Sequence, residues 1–408
     1  MKNICEEKKY CRFCGGNNIK IALDLGSSPL CDEYRSENNE QKYFPLALKG
    51  CHDCGGVQTS HVINSEEIYE DYIYFTSTSP GLDLHYSKYA SDTEAENKLN
   101  SKLFVVDVGS NDGCLLEKFA KYGHQVLGVE PSKMACEAAK KLRGVDSINE
   151  YFDDSVARKI AKGGVLADII TFNNVFANID DLDGVLKAID ILLAENGLVI
   201  VESSYLFDMI DNMVFDFVYH EHLSYLSISS MQNLFEKKGF IIVDCLKVNT
   251  KGGSMRYIIA RKNSSHQVSE RLASYKLIES SRKNIFTELE EFYRSINSSK
   301  NEFIALINRY ASRGRLIGYG ASATTTTLLH SWGIGQLFNF LVDDNPKKIG
   351  THSPGYQLPV LSLDQANIQN NDVVVLLAWR FTDLILNRLR NFNGVTIIPL
   401  PYPQILSK

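Results

Sequence analysis

Leu103-Phe104-Val105-Val106-Asp107-Val108-Gly109-Ser110-Asn111-Asp112-Gly113 is the stretch on which the fold turns. Its apolar run reads as a buried strand ending at Gly109, and a glycine turn leads into a helix expected from about Cys114. Glycine lets a backbone approach a ligand closely, and a helix N-terminus offers free N–H groups. Gln125-Val126-Leu127-Gly128-Val129-Glu130 reads as a second strand, whose terminal Glu130 suits the two ribose hydroxyls of a nucleoside. A dinucleotide fingerprint wants G-x-G-x-x-G, and only Gly109 and Gly113 fit any such pattern. The G-x-x-x-G form with an acid inside suits S-adenosylmethionine better, because that ligand has no pyrophosphate to cradle. The cofactor set read here is Gly109, Asn111, Asp112, Gly113 and Glu130, with Asn173 beyond the third strand.

Outward from this turn the alternation continues. Ala167–Phe172 and Gly197–Glu202 read as third and fourth strands, and Ser132–Leu142 as a helix between. Strand–helix alternation argues for a mostly parallel, doubly wound α/β sheet over residues 81–245. A polar segment at about 263–312 has apolar positions at helical spacing and reads as one or two surface helices. A second alternating unit starts at Arg315-Leu316-Ile317-Gly318-Tyr319-Gly320 and continues through Leu337–Val342, Val373–Leu377 and Gly394–Pro399. Residues 246–408 are therefore expected to form a second Rossmann-like domain, with Gly320 and Ala321 at its glycine turn.

Residues 1–80 differ in texture. Six of the nine cysteines lie before residue 55, and Cys11-Arg12-Phe13-Cys14-Gly15 and Cys51-His52-Asp53-Cys54-Gly55 are two C-x-x-C-G knuckles. Each pair of thiolates can grip one ion, and two pairs make a tetrahedral four-cysteine zinc site. With Cys11, Cys14, Cys51 and Cys54 all used, no position stays open for water, so the one zinc is expected to be structural. Cys5, Cys31, Cys114, Cys136 and Cys245 are read as ordinary core or surface residues.

The 408 residues carry a formal net charge of -6, a poor match to a protein that wraps nucleic acid. No run approaches the roughly 20 apolar residues of a membrane span, and the first nine residues lack an apolar signal core. The expectation is a cytoplasmic protein with no membrane, nucleic-acid or obligate protein partner.

Further motifs give the chain a family resemblance. V-D-V-G-S-N-D-G at Val106–Gly113 with G-V-E-P at Gly128–Pro131, and Y-H-E-H at Tyr219–His222, join the paired knuckles. K-G-G-S-M-R at Lys251–Arg256, G-Y-G-A at Gly318–Ala321 and D-D-N-P at Asp343–Pro346 follow in order. In this the chain resembles the sugar C-methyltransferases that make 3-C-methyl branched deoxysugars. The resemblance implies a zinc domain, an S-adenosylmethionine domain and a C-terminal domain helping to hold a nucleotide-diphosphate keto sugar, dTDP- or GDP-linked. It implies catalytic roles for Tyr219, Glu221 and His222 and, from the cluster Tyr72-Ile73-Tyr74, for Tyr74. Relatives carry a histidine after the third strand where this chain has Asn178, which cannot carry a proton at neutral pH.

Carbon has no lone pair, so its proton must leave before a methyl arrives. A neighbouring ketone makes that proton acid enough, and the enzyme supplies a general base, donors for the enolate oxygen and alignment of the methyl. His222 is read as the base, with Glu221 orienting it, acting as base itself or binding a hydroxyl, and Tyr219 donating to the ketone. His220 shares a face with His222 only if the segment is extended. Asn178, Lys251, Arg256 and the backbones of Gly252–Gly253 and Gly320–Ala321 are the candidate substrate contacts. The competing readings are an NAD-dependent nucleotide-sugar oxidoreductase using the Gly318 turn, a methyltransferase acting on another substrate such as RNA, and a zinc-stabilised binding protein without catalysis.

Overall fold

A computed structural model describes residues 4–37, 40–64, 67–68, 81–97, 102–310 and 312–406. Its central layer is a seven-stranded sheet in the order Phe240–Val248, Ser254–Arg261, Leu193–Ser204, Ala167–Asn173, Phe104–Val108, Gln125–Val129, Ser147–Ile148. The five strands from Leu193–Ser204 to Ser147–Ile148 run parallel; Ser254–Arg261 pairs antiparallel with Leu193–Ser204, and Phe240–Val248, antiparallel to it in turn, runs with the five. All five residues of Phe104–Val108 are buried, as expected for a parallel strand covered on both faces. The helix between the second and third strands spans Lys133–Arg143; the Ser132 side chain caps its start and Gly144, at φ 69°, closes its end.

Two boundaries differ from the sequence reading. The strand expected from Gly197 begins at Leu193, because a register irregularity between Leu193 and Leu198 breaks the apolar pattern. The division expected between residues 245 and 246 falls inside the strand Phe240–Val248, so by hydrogen bonding the central layer extends to Arg261.

The N-terminal unit carries a four-stranded sheet ordered Ser224–Tyr225, Val57–Thr59, Phe44–Cys51, Ile19–Ser28. Its edge strand belongs to the segment just after Tyr219–His222, with Ser224 opposite Gln58 and Tyr225 opposite Val57. The C-terminal unit is a six-stranded sheet ordered Val360–Leu361, Phe340–Val342, Leu316–Tyr319, Val373–Leu376, Val395–Ile398, Gln404–Leu406, parallel except for the last strand. Numbered along the chain this is 3-2-1-4-5-6, the doubly wound order whose switch point lies between the first and fourth strands.

The polar segment forms the helices Glu270–Ser280 and Ile285–Asn308. The second is more than a surface helix: Phe292, Ile296 and Phe303 are at most 2% exposed. Phe286 near its start stacks on His52 at 3.9 Å, and Phe303 packs on Trp332 at 5.4 Å, so it straps the N-terminal unit to the C-terminal one. One continuous apolar core includes Leu48, Phe172, Leu289 and Ile397, contributed by every layer. Among the described residues no helix is long and apolar enough to cross a membrane.

Candidate active site and metal centre

Gly109 and Gly113 adopt φ of 70° and 74°, and Asn111 sits at 48°. A Cβ on Gly109 would stand 2.8 Å from Val175, so the turn needs glycine for space as well as for conformation. Glu130 Oε2 accepts from the Asn111 amide at 2.9 Å and Oε1 from the Ser132 amide at 2.8 Å. Burial raises its pKa while these two amides pull it down. Asp112 is fully buried, with Arg143 Nη2 3.8 Å from its carboxylate, so the second acid of the motif is held within the fold. Asn173 donates to Asp107 Oδ1 at 3.3 Å, and its own Oδ1 is buried without a hydrogen-bond partner.

Asp107, two residues before Gly109, is a buried acid that the sequence reading passed over. It also accepts from Thr171 at 2.6 Å, and burial lifts its pKa to about 7. An acid inside the apolar run V-V-D-V was the available signal.

Tyr219–His222 forms a turn, not a strand, and its two histidines diverge. His220 is 2% exposed and bonds the Pro45 carbonyl at 3.3 Å, which makes it an anchor to the N-terminal unit. His222 Nδ1 lies 3.0 Å from the Phe217 carbonyl. A carbonyl only accepts, so Nδ1 carries the proton and Nε2 of the neutral ring is left bare. Burial and the charge of Lys251 push the His222 pKa down to about 4. Tyr219 packs on the His222 ring at 4.1 Å. Burial and the nearby Asp32 lift Glu221 to about 8, against the pull of Lys251 and Lys348, so its carboxyl is set up to donate a hydrogen bond at neutral pH. His222, Phe217 and Tyr225 line a pocket with Asn174, Ser203 and Ser204, at the C-terminal ends of the third and fourth parallel strands. Ligands of open α/β sheets bind at that edge.

The expected substrate residues scatter. Asn178 lies in the short helix Phe176–Asn178 beside pocket residue Ala177, with its Oδ1 buried and unpartnered. Lys251, in a left-handed backbone conformation, interacts electrostatically with Glu221 and Glu202, and burial lowers it to about 8. Arg256 is committed elsewhere. It stands opposite Glu202 in the sheet, bonds it at 2.8 and 2.9 Å, and covers the Tyr89 ring. Burial opposes the Glu202 charge, but His85 and Arg256 outweigh it and hold the carboxyl below its usual range. The Gly320 amide donates to Val342 at 2.7 Å and the Ala321 amide to Asp343 at 2.6 Å, so neither stands free for a diphosphate. Tyr74 lies outside the described residues.

The two knuckles fold alike. Gly15 and Gly55, at φ 76° and 70°, donate to the carbonyls of Cys11 and Cys51, and the amides of Cys11 and Cys51 donate in turn to the carbonyls of Gly16 and Gly56. The four sulfurs lie within 4.8 Å of one another, with Cys11–Cys54 and Cys14–Cys51 each at 3.6 Å. Tetrahedral Zn²⁺ with bonds of about 2.3 Å sets its sulfurs about 3.8 Å apart, so this donor set fits the ion. The remaining five cysteines are free thiols outside that cluster.

Compared with known proteins, the chain is 30% identical to C-methyltransferase NovU of Streptomyces niveus over 417 residues, covering 100% of this chain and 99% of that protein. The chain belongs to the C-methyltransferase family. Its three units each match a family model. Residues 11–69 match a zinc binding domain, 85–244 a methyltransferase domain and 249–401 a C-methyltransferase C-terminal domain. A shorter likeness, 26% identity over 115 residues, joins this C-methyltransferase to the ubiquinone biosynthesis O-methyltransferase of Brucella ovis, covering 28% of the chain and 46% of that protein. The solved magnesium protoporphyrin IX methyltransferase of Synechocystis PCC 6803 is 15% identical, covering 44% of this chain and 84% of its own, with a TM-score of 0.35. The enzyme is an S-adenosylmethionine-dependent C-methyltransferase with an N-terminal zinc-binding unit.

Proposed function

We propose that this C-methyltransferase acts in the cytoplasm on a nucleotide-linked 4-keto deoxysugar and methylates the carbon beside the ketone, C-3. The observation that carries the reading is the His222 hydrogen bond to the Phe217 carbonyl, which leaves Nε2 unprotonated on a ring that lines the pocket at the sheet edge. That nitrogen takes the α-proton, and the carbon's electron pair moves into the enolate. Glu221, held protonated, and the Lys251 ammonium supply positive character for the enolate oxygen. The Gly109–Gly113 turn and Glu130 would hold S-adenosylmethionine, whose sulfonium would supply the methyl and leave as the neutral thioether. The new carbon–carbon bond forms as the carbon–sulfur bond breaks, and the proton stays on His222 until solvent removes it. One zinc on Cys11, Cys14, Cys51 and Cys54 serves structure, holding the sheet that pairs with Ser224–Tyr225.

The test is incubation with S-adenosylmethionine and a panel of dTDP- and GDP-linked 4-keto sugars, read by mass. A product heavier by one methyl from at least one member is expected. No methylated product from any keto sugar defeats the substrate class.

A further inference from the structure

We infer that the switch-point crevice of the C-terminal sheet is an internal receptor for Asp216, and that Asp216 and Arg380 are positioning residues for the base. The inference rests on the reading of His222 as that base. A doubly wound sheet receives its ligand where its first and fourth strands part. Here the loops beyond those two strands converge on a carboxylate of the same chain. Trp379 and Arg380 follow the strand Val373–Leu376, and Thr324 follows Leu316–Tyr319. Trp379 Nε1 donates to Asp216 Oδ2 at 2.9 Å, and Arg380 Nη1 reaches both Asp216 oxygens at 3.0 Å. Arg380 Nη2 donates to Thr324 Oγ1 at 3.0 Å. Asp216 is 0% exposed, so this is a built and fully occupied site.

The next two residues are gripped from the same side. The Arg380 guanidinium lies 4.4 Å over the Phe217 ring, and Thr327 Oγ1 donates to the Val218 carbonyl at 2.9 Å. Phe217 is the residue whose carbonyl accepts the hydrogen bond from His222 Nδ1–H. Three consecutive residues are thus moulded by the C-terminal unit, and the middle one sets the tautomer and aim of the imidazole. Gly252 completes the fit: a Cβ there would touch Val214 at 3.0 Å and Arg380 at 3.6 Å, which ties the Lys251 loop to the same clamp.

The experiment uses the full-length enzyme carrying Asp216→Asn with Arg380→Gln, which removes both charges together, and Arg380→Lys as the conservative variant. Three quantities are read: kcat, S-adenosylmethionine affinity, and the His222 tautomer by ¹⁵N NMR of histidine-labelled protein. The double variant is expected to lose about 10²-fold in kcat, the cost of a misplaced reacting group. Its cofactor affinity should stay within about twofold, its His222 signal should leave the pure Nδ1–H form, and Arg380→Lys should recover part of kcat. A double variant with wild-type kcat, or one that loses kcat while His222 keeps a pure Nδ1–H signal, overturns the proposal. His222→Asn runs in parallel: if that variant is active the base reading falls, while the tautomer measurement still decides whether the clamp sets the ring.

Discussion

His222 and His220 lie two residues apart and do opposite things. Nδ1 of His222 is committed to a carbonyl and its other nitrogen is free, whereas His220 is spent on Pro45. His222→Asn should therefore cost about 10²–10⁴ in rate with S-adenosylmethionine binding retained, measured by turnover and calorimetry; wild-type turnover would move the base elsewhere in the turn. His220 makes a prediction about stability. Burial pushes its pKa from 6.5 down to about 4. Between those values the unfolded chain binds the proton and the folded chain does not, so stability falls as pH falls through that window and is fully present above it. The full contribution is on the order of 3 kcal/mol. The thermal midpoint should drop between pH 7 and pH 5, and His220→Gln should flatten that drop. An equally steep profile in the variant would assign the acid sensitivity to other groups.

At the scale of elements, the knuckles are the clearest case of local sequence dictating structure. Four sulfurs on two matched turns should bring one equivalent of zinc through purification, and Cys11→Ser or Cys54→Ser should release it. Because Ser224–Tyr225 is paired into the same sheet, methylation should decline in step with metal content, as seen in parallel metal analysis and turnover; full activity in metal-free protein would contradict this. The sequence made other elements legible for the same local reason. Phe104–Val108 is apolar at every position but Asp107 because both its faces are buried, and Ser132 and Gly144 bracket their helix by capping. What depends on register or on distant partners was not legible. Arg256 read as a substrate contact because nothing in K-G-G-S-M-R tells that pairing sets it opposite Glu202. The amides of Gly320 and Ala321 read as free because Val342 and Asp343 lie more than twenty residues away. The Phe217 carbonyl, which governs His222, carries no sequence signature at all.

On the scale of the whole molecule, three units meet at residues 216–225. The central sheet supplies the pocket wall at Asn174, Ser203 and Ser204. The N-terminal unit pairs with Ser224–Tyr225 and donates from Arg12 to the Leu223 carbonyl at 2.9 Å. The C-terminal unit holds Asp216 and Val218. This convergence also bears on the oxidoreductase alternative, since the second glycine turn has its amides engaged and its crevice filled by Asp216. The proposed chemistry is proton removal from carbon followed by methyl capture at that same carbon. The measurement that tests it most directly uses a nucleotide 4-keto sugar deuterated at the α-carbon, together with S-adenosylmethionine carrying a ¹³C methyl. The expected product has lost the α-deuterium and shows the labelled methyl bonded to that carbon. A labelled methyl on oxygen or nitrogen, with the α-deuterium retained, would contradict it.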